Sequence, residues 1–230
     1  MTSLAGAPPA RVWHAATAVL VGVALLLQLS LVVVNGQISM PERLLRLVSY
    51  FTVEANLLVL VSCAQLAWWP DRDGLGWRVA RLGGLVGSSV TFPVFLLVLR
   101  PAIHLSGWDA VADVGLHYVC PALMITGWVL FGPRRRVGPR TALATLAWPV
   151  GWFIWILLFG AVGDFYPYPF VDVRNHGYSG VLLRSLLATT LLVAVVGGAW
   201  ALDRRLNASA PHGWVPPWER GDRAAATPRP

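Results

Sequence analysis

Six long apolar segments occupy most of this 230-residue sequence and limit what the chain can fold into. Each segment reaches about 20 residues, which is the length that an α-helix needs to cross ~30 Å of hydrocarbon. We therefore predict an all-α, polytopic integral membrane protein with six transmembrane helices in one bundle. The predicted spans are residues 13–34, 47–69, 78–100, 111–131, 141–160 and 180–202.

The composition supports a membrane protein with little sequence outside the membrane. Hydrophobic residues make up 56% of the chain and charged residues only 13%, and the mean hydropathy is +0.61. These values lie outside the range of ordinary soluble domains. We predict a cytoplasmic N-terminus at residues 1–12, one transmembrane domain at residues 13–202 and a cytoplasmic tail at residues 203–230. The tail is rich in Pro, Ala and Arg, so we expect it to be disordered.

The positive charge of the chain lies near the ends of the predicted spans. The formal net charge is +7, and all 18 basic residues are arginines. With six spans threaded through a bilayer, thirteen arginines fall on one side and five on the other. The positive-inside rule places the arginine-rich side, with both termini, in the cytoplasm. We predict a multi-pass protein of the plasma (cell) membrane that contacts membrane lipids and no nucleic acid, and its oligomeric state stays open.

The placement of cysteine and histidine indicates neither a metal site nor a haem. Cys63 and Cys120 lie in the second and fourth spans without metal-type spacing, which is typical of small buried apolar side chains. A haem would need paired histidines in facing spans, and His117 has no intramembrane histidine partner in the sequence. We predict no metal and no cofactor.

Polar residues interrupt the apolar sequence of the second span at residues 49–58. Thr52, Glu54 and Asn56 lie there, and a carboxylate in hydrocarbon costs at least roughly 2.5 kcal/mol. Residues three or four apart share a helix face, so Thr52 and Asn56 fall on one stripe and Glu54 on another. Ser49 is expected on the first stripe. Glu54 is expected to be structural or to pair with a charge, and its candidate partners are Arg46 and Arg184.

His117 in the fourth span is predicted to lie level with Thr52. At 1.5 Å per residue, Thr52 lies ~7.5 Å and His117 ~9 Å below the outer ends of their spans. Asp113 comes one turn before His117, where its carboxylate can bind one ring nitrogen and leave the other as an acceptor. Pro121 comes one turn after His117. Because Pro121 has no N–H, it frees the His117 carbonyl and favours a kink that opens the bundle.

Thr52, His117 and Asp113 are the residue types that nucleophilic catalysis requires: a hydroxyl, a base and a group that orients the base. In this hypothesis His117 takes the Thr52 proton, the alkoxide attacks an ester carbonyl, and water then releases the acyl group through the same base. Asn56 or an N–H at a span end is the candidate oxyanion donor. Two structural alternatives stay open: a hydrogen bond from Thr52 to its own helix, and an interhelical hydrogen bond from Asn56.

Three segments of the chain carry a resemblance to a known family: SYFTVEANLL at residues 49–58, LHYVCP at residues 116–121 and YPYPF at residues 166–170. The first two resemble the androgen-induced and androgen-dependent family of multi-span membrane hydrolases and their bacterial six-span relatives, and the third resembles the bacterial branch. Animal members of that family use an intramembrane threonine and a histidine to hydrolyse fatty acid esters of hydroxy fatty acids. The resemblance implies that Thr52 is this threonine and His117 this histidine.

The residues and the resemblance together predict an intramembrane hydrolase that acts on a lipid ester. Two alternatives stay open. A small-molecule, ion or proton transporter would use Glu54, His117 and Asp164 as a path, although neither repeats nor broken helices are evident in the sequence. A non-catalytic membrane protein would use none of these groups.

The loop between the fifth and sixth spans is predicted to cover the site. It carries two prolines that oppose a helix. We predict that Asp164, Tyr166 and Tyr168 contact the substrate as parts of a lid, and Asp164 is the second candidate to orient His117. The alternative is an interfacial anchor of aromatic side chains.

Overall fold

Helices make up the architecture of this protein. The computed structural model describes residues 6–35 and 37–208, and this part of the chain contains no β-strand. Six helical segments are long and apolar enough to span a membrane, and they form an all-α bundle, as predicted. The six segments are Pro8–Val34, Phe51–Trp68, Leu75–Leu99, Gly107–Phe131, Pro139–Gly163 and Val173–Leu206.

Proline begins several of these helices and π-helical turns interrupt two of them. The α-helices are α1 (Pro8–Val34), α2 (Met40–Val48), α3 (Phe51–Trp68), α4 (Leu75–Val94), α5 (Gly107–Val114), α6 (Cys120–Phe131), α7 (Pro139–Gly163) and α8 (Val173–Ala208), which has a kink at the non-helical Gly177. The π turns are Phe95–Leu99 and Gly115–Val119, and 3₁₀ turns lie at Arg100–Ala102 and Pro169–Val171. Proline lies in the first turn of α1, α2 and α7, where a missing N–H costs no helical hydrogen bond. α3, α5 and α8 all begin at the same end of the bundle, which we call the Thr52 end.

The second predicted span, residues 47–69, is divided in two. α2 ends at Val48 and α3 begins at Phe51, with Tyr50 between them in an extended conformation. α2 carries charged side chains on one side and exposed apolar side chains on the other. A helix with a charged face lies at an interface and does not continue into hydrocarbon, so the chain breaks before the span begins. Ser49 therefore caps α2 and does not share the stripe predicted for it on α3.

α8 continues beyond its predicted end at residue 202. The Asp203 carboxylate accepts hydrogen bonds from the backbone N–H groups of Arg136 at 3.1 Å and Val137 at 3.3 Å, which tethers this turn of α8 to the chain just before α7. The helix therefore runs to Ala208. The first residues of the tail that was predicted to be disordered are helical, and residues 209–230 lie outside the described part of the chain.

α1 begins earlier than predicted and packs against α3 and the fourth span. Its first residue is Pro8, so residues 8–12 of the predicted N-terminal segment are helical, whereas residues 1–5 lie outside the description. A Cβ on Gly115 would lie 2.9 Å from the Cβ of Ala24 on α1. The glycine therefore allows the segment that carries His117 to approach α1 closely.

α3 and α4 meet through small residues. A Cβ on Gly87 would lie 2.6 Å from the Cβ of Ala55, and a Cβ on Gly84 would lie 3.0 Å from the backbone nitrogen of Val59. Small residues at such spacing let two helix backbones come close within a membrane. α4 also contacts α6, α7 and α8, so this contact fixes α3, and Thr52 with it, relative to the rest of the bundle.

The kink predicted at Pro121 takes the form of a π-helical turn. The turn Gly115–Val119 joins α5 to α6 directly before this proline, and His117 is its central residue. A second π turn, Phe95–Leu99, follows Pro93 in α4. Proline cannot donate to the preceding turn of helix, and π turns within α-helices are frequent at functional sites. Both turns lie near the Thr52 end.

Candidate active site

The hydroxyl of Thr52 is directed to a histidine. Thr52 is 6% exposed and lies in the first turn of α3, and its Oγ1 lies 3.3 Å from Nε2 of His117. Thr17, Thr145 and Thr190 instead donate to the carbonyl four residues earlier in their own helices, each at 2.8 Å. Because α3 begins one residue before Thr52, the corresponding carbonyl belongs to the preceding helix. The structure thus favours the predicted partner over the backbone alternative.

His117 is held on its other side by a carboxylate. Asp113 Oδ1 lies 2.9 Å from His117 Nδ1, which confirms the contact predicted from their spacing. A carboxylate at Nδ1 favours the tautomer with a hydrogen on that nitrogen, so Nε2 is left to accept the Thr52 hydroxyl proton. The Phe95 ring stacks on the imidazole, with centroids 4.0 Å apart and planes at 19°. These contacts fix both the position and the plane of the ring.

A tyrosine hydroxyl from the loop between α7 and α8 lies beside the nucleophile candidate. Tyr168 Oη lies 3.5 Å from Thr52 Oγ1 and accepts the Thr52 backbone N–H at 3.4 Å. Its ring is 7% exposed and stacks on Phe170, with Tyr50 packed edge-on against it. Burial raises the pKa of Tyr168 to about 12, so its hydroxyl keeps its proton at neutral pH. The residue predicted as part of a lid therefore brings a hydrogen-bond donor to the site.

The other two predicted lid residues lie away from the reacting groups. The Asp164 carboxylate is 88% exposed and lies 3.8 Å from the Arg174 guanidinium. The prediction that Asp164 orients His117 is wrong, because Asp164 ends α7 in a left-handed conformation at the surface and Asp113 occupies Nδ1. Tyr166 packs beneath Arg174, with 5.5 Å between the guanidinium carbon and the ring centroid.

Asp172 anchors the loop that carries Tyr168. Its carboxylate accepts hydrogen bonds from the Arg174 backbone N–H at 2.9 Å, from the Arg174 guanidinium at 3.0 and 2.8 Å, and from the Asn175 amide at 3.2 Å. The Arg174 guanidinium holds the pKa of Asp172 below its usual range. Asp172 was not among the residues predicted to belong to the site.

Asn56 joins two helices and does not face the reacting atoms. Its Nδ2 donates to the Thr52 carbonyl at 2.8 Å and to the Leu116 carbonyl at 3.3 Å. Both amide hydrogens are thus used by backbone carbonyls, one on α3 and one in the π turn. Of the two roles considered from the sequence, the structure gives Asn56 the interhelical hydrogen bond and not the oxyanion contact.

Three tryptophans of α7 bind the polar stretch that interrupts the second predicted span. The Trp148 indole donates a hydrogen bond to Glu54 Oε2 at 2.5 Å. Trp152 donates to the Ser49 carbonyl at 2.9 Å, and Trp155 donates to the Ser49 hydroxyl at 3.0 Å. The partner of Glu54 is therefore a neutral indole and neither of the arginines considered from the sequence. Spacing of four and three residues puts these rings on one face of α7, a signal that was present in the sequence.

An apolar cavity of about 390 Å³ lies beside Thr52. Thr52, Tyr168 and Phe170 line it at the Thr52 end, and mostly apolar residues of α4, α7 and α8 form its other walls. Ligand pockets are commonly of this size and mostly apolar, with few polar groups. Thr52 and Tyr168 are two of the five lining residues that carry a hydroxyl group, so the cavity adjoins the residue of the candidate nucleophile.

The described residues contain no candidate metal site, and no similar protein was found that could identify the function of the site. Among residues 6–35 and 37–208, no three His, Cys, Asp or Glu side chains are grouped so that they could hold a metal ion. No family model matches the sequence, and neither the curated proteins nor the solved structures contain a match.

Proposed function

We propose that this protein is an intramembrane hydrolase of lipid esters, in which Thr52 is the nucleophile, His117 the general base and Asp113 the residue that orients the base. The observation that carries this proposal is the contact of 3.3 Å between Thr52 Oγ1 and His117 Nε2, made by a threonine that has no acceptor in its own helix. Nucleophile, base and orienting group follow one another within hydrogen-bond reach, which is the arrangement that acyl transfer requires.

In the first half of the reaction His117 Nε2 accepts the proton of Thr52 Oγ1, and this oxygen attacks the ester carbonyl carbon. The tetrahedral intermediate collapses with cleavage of the bond to the alcohol oxygen, which takes the proton from His117. The acyl group is then bonded to Thr52. The Asp113 carboxylate stabilises the imidazolium that forms between the two proton transfers, since it lies 2.9 Å from Nδ1.

In the second half His117 Nε2 takes a proton from water, and the hydroxide oxygen attacks the acyl carbon. Collapse of this intermediate breaks the bond to Thr52 Oγ1, which regains its proton from His117. One ester and one water thus give one acid and one alcohol, and the side chains return to their starting states.

Tyr168 is the oxyanion donor in this proposal, in place of Asn56. Its oxygen accepts the Thr52 N–H, and its own O–H, 3.5 Å from Thr52 Oγ1, can turn to the carbonyl oxygen of a substrate bonded to Thr52. A buried, neutral donor next to the nucleophile stabilises the negative charge that develops on that oxygen.

The substrate is expected to be a lipid because the cavity next to Thr52 is apolar and lies within the bundle. The segments that contain Thr52 and His117 resemble a family of membrane hydrolases, and this resemblance implies that the same two residues carry out the reaction. Transport has less support, since the three groups of the suggested path have separate partners: Glu54 binds Trp148, His117 binds Thr52, and Asp164 pairs at the surface.

We further propose that the Thr52 end faces the outside of the cell in the plasma membrane, because ten of the fifteen arginines in the described part of the chain lie toward the other end. Asp164 is 88% exposed at the Thr52 end, and the native cysteines Cys63 and Cys120 are buried. An Asp164→Cys variant should therefore react with a membrane-impermeant maleimide in intact cells. Reaction only after the cells are opened would reverse the orientation.

Hydrolysis by the purified protein tests the proposal. Protein in nanodiscs should release 4-methylumbelliferone from its palmitate ester, and Thr52→Ala or His117→Ala should lower this rate by at least about 10³-fold. Thr190→Ala is the matched control, because Thr190 is a threonine of α8 whose hydroxyl bonds only its own helix. A Thr52→Ala variant with the wild-type rate would exclude Thr52 as the nucleophile.

A further inference from the structure

We infer that the apolar cavity holds a single acyl chain aligned with the axis of the bundle, and that this chain enters from the lipid between α7 and α8. The inference rests on the proposed function, and it names the substrate class as esters with one extended acyl chain whose carbonyl lies at Thr52. Three properties of the cavity carry it: its length, its volume and the side on which it is open.

The cavity extends from Thr52 to about the middle of the bundle. Its lining residues on α4 and the π turn run from Leu99 at the Thr52 end to Val90, and those on α8 run from Leu182 to Val193. At 1.5 Å per residue these stretches are about 14 Å and about 17 Å long. Because the two helices run in opposite directions, Leu99 and Leu182 both lie at the Thr52 end of the cavity. One leaflet of hydrocarbon is about 15 Å thick, so the cavity is as deep as one leaflet.

The volume fits one chain. A water molecule takes ~30 Å³ in the liquid, and a methylene group is of similar size. The cavity of about 390 Å³ therefore holds on the order of a dozen chain carbons. The length and the volume of the cavity are thus both suited to one extended acyl chain.

The cavity is closed toward the centre of the bundle and toward the loop. On the α4 side, Val90, Phe95 and Leu99 are at most 9% exposed. At the Thr52 end, Tyr168 is 7% and Val171 1% exposed, so the loop covers the cavity there. A substrate therefore has no direct route into the cavity past these residues.

The open side lies between α7 and α8. Four apolar lining residues are more than half exposed, and all four belong to these two helices: Val150 at 59%, Leu182 at 58%, Leu186 at 59% and Val193 at 52%. In a bundle of membrane-spanning helices these apolar side chains face lipid tails. An acyl chain of the leaflet can move sideways into the cavity without leaving an apolar environment, while its ester stays at the level of Thr52.

The chain-length dependence of hydrolysis tests the depth of the cavity. Leu146 lines its inner end on α7, so Leu146→Trp should fill that end. This variant should lower kcat/KM for 4-nitrophenyl palmitate by about tenfold or more and leave that for 4-nitrophenyl butyrate within a few-fold. Leu143→Trp is the matched control, since Leu143 lies one turn away on α7, is 70% exposed and does not line the cavity. Equal losses for both esters would overturn the inference.

Photo-cross-linking tests occupancy without catalysis. A palmitate analogue with a diazirine near the end of its chain, added to Thr52→Ala protein in nanodiscs, should label residues of α4, α7 and α8 that line the cavity. Leu186→Trp should reduce this labelling, whereas Leu187→Trp, 77% exposed and outside the cavity, should not. Labelling confined to other lipid-facing residues would overturn the inference even if the wild type hydrolyses esters. Labelling of the cavity in a wild type that hydrolyses no ester would uphold the cavity and overturn the proposed hydrolase.

Discussion

A threonine in a membrane-spanning helix ordinarily places its hydroxyl on the carbonyl four residues before it, as Thr17 and Thr145 do at 2.8 Å. Thr52 is the second residue of α3, and the chain breaks at Tyr50. The usual acceptor therefore belongs to another helix, and the hydroxyl turns to His117 at 3.3 Å. The break before α3 is thus the local cause of the contact on which the proposed chemistry depends.

Asp113→Asn should lower kcat without a comparable change in KM. An amide can present its N–H₂ group to His117 Nδ1 and so favour the tautomer in which Nε2 carries the hydrogen, which cannot accept the Thr52 proton. A loss of about 10²-fold to 10⁴-fold in kcat is expected, measured with a soluble nitrophenyl ester. Asp109→Asn is the control, because Asp109 lies one turn earlier on α5 and is exposed. An effect on KM alone would contradict the role of Asp113.

Tyr168→Phe should also act on kcat, because it removes the O–H next to Thr52 and keeps the buried ring. Loss of one oxyanion donor lowers kcat by about 10²-fold or more. Tyr178→Phe removes a hydroxyl from a tyrosine that is 60% exposed on α8, and it should leave kcat unchanged. If Tyr168→Phe keeps the full kcat, the oxyanion donor has to be another group.

Only part of this site could be predicted from the sequence. The contact of His117 with Asp113 follows from a spacing of four residues. Thr52 and His117 do meet, as predicted, but the residue count behind that prediction started at residues 47 and 111, whereas α3 begins at Phe51 and the fourth span at Gly107. The contacts of Thr52 with Tyr168 and of Glu54 with Trp148 join residues 116 and 94 positions apart. They depend on how α7 and its following loop pack, which no local pattern encodes.

At the level of elements, the two π turns shape the site more than any regular helix does. One carries His117 at its centre, and the other carries Phe95, which stacks on the His117 ring. Pro121 made an irregularity near His117 predictable, although not its form. The separation of α2 from α3 was missed, because the apolar residues of α2 extend the hydropathy of the following span while its charged face lies at the interface.

Gly87→Ala should destabilise the protein by forcing α3 and α4 apart. The new Cβ would lie 2.6 Å from the Cβ of Ala55, and overpacking of this kind costs about 1–3 kcal/mol. Gly76→Ala is the matched control on α4, since a Cβ there meets no atom within 4 Å and alanine favours a helix. Thermal unfolding in detergent should show a lower midpoint for Gly87→Ala only. Equal midpoints for the two variants would mean that α3 and α4 do not pack as described.

On the scale of the whole molecule, six apolar segments of sufficient length were enough to predict the bundle, because span length is set by the bilayer and hardly depends on packing. The cavity was not predictable in the same way. Its walls come from α4, α7 and α8 together, and its opening depends on how loosely α7 and α8 pack.

Alkaline pH should destabilise the wild type more than Tyr168→Phe. Burial raises the pKa of Tyr168 from 10.0 to about 12 in the folded protein, whereas the unfolded chain ionises near the ordinary value. The stability linked to this group is therefore fully present below pH 10 and is lost as the pH rises to about 12, with a total of about 3 kcal/mol. Unfolding midpoints between pH 8 and 12 should fall more steeply for the wild type. Parallel curves would contradict the buried, protonated state of Tyr168.

The identity of the residue that reacts with a fluorophosphonate shows whether Thr52 is the nucleophile. Thr52 Oγ1 should displace fluoride from the probe, with His117 taking the proton, and mass spectrometry of the digested protein should locate the phosphonyl group on Thr52. Labelling should be lost in Thr52→Ala and in His117→Ala and kept in Thr190→Ala. A Thr52→Ala variant labelled to the wild-type extent, or an adduct found on another residue, would show that Thr52 is not the nucleophile.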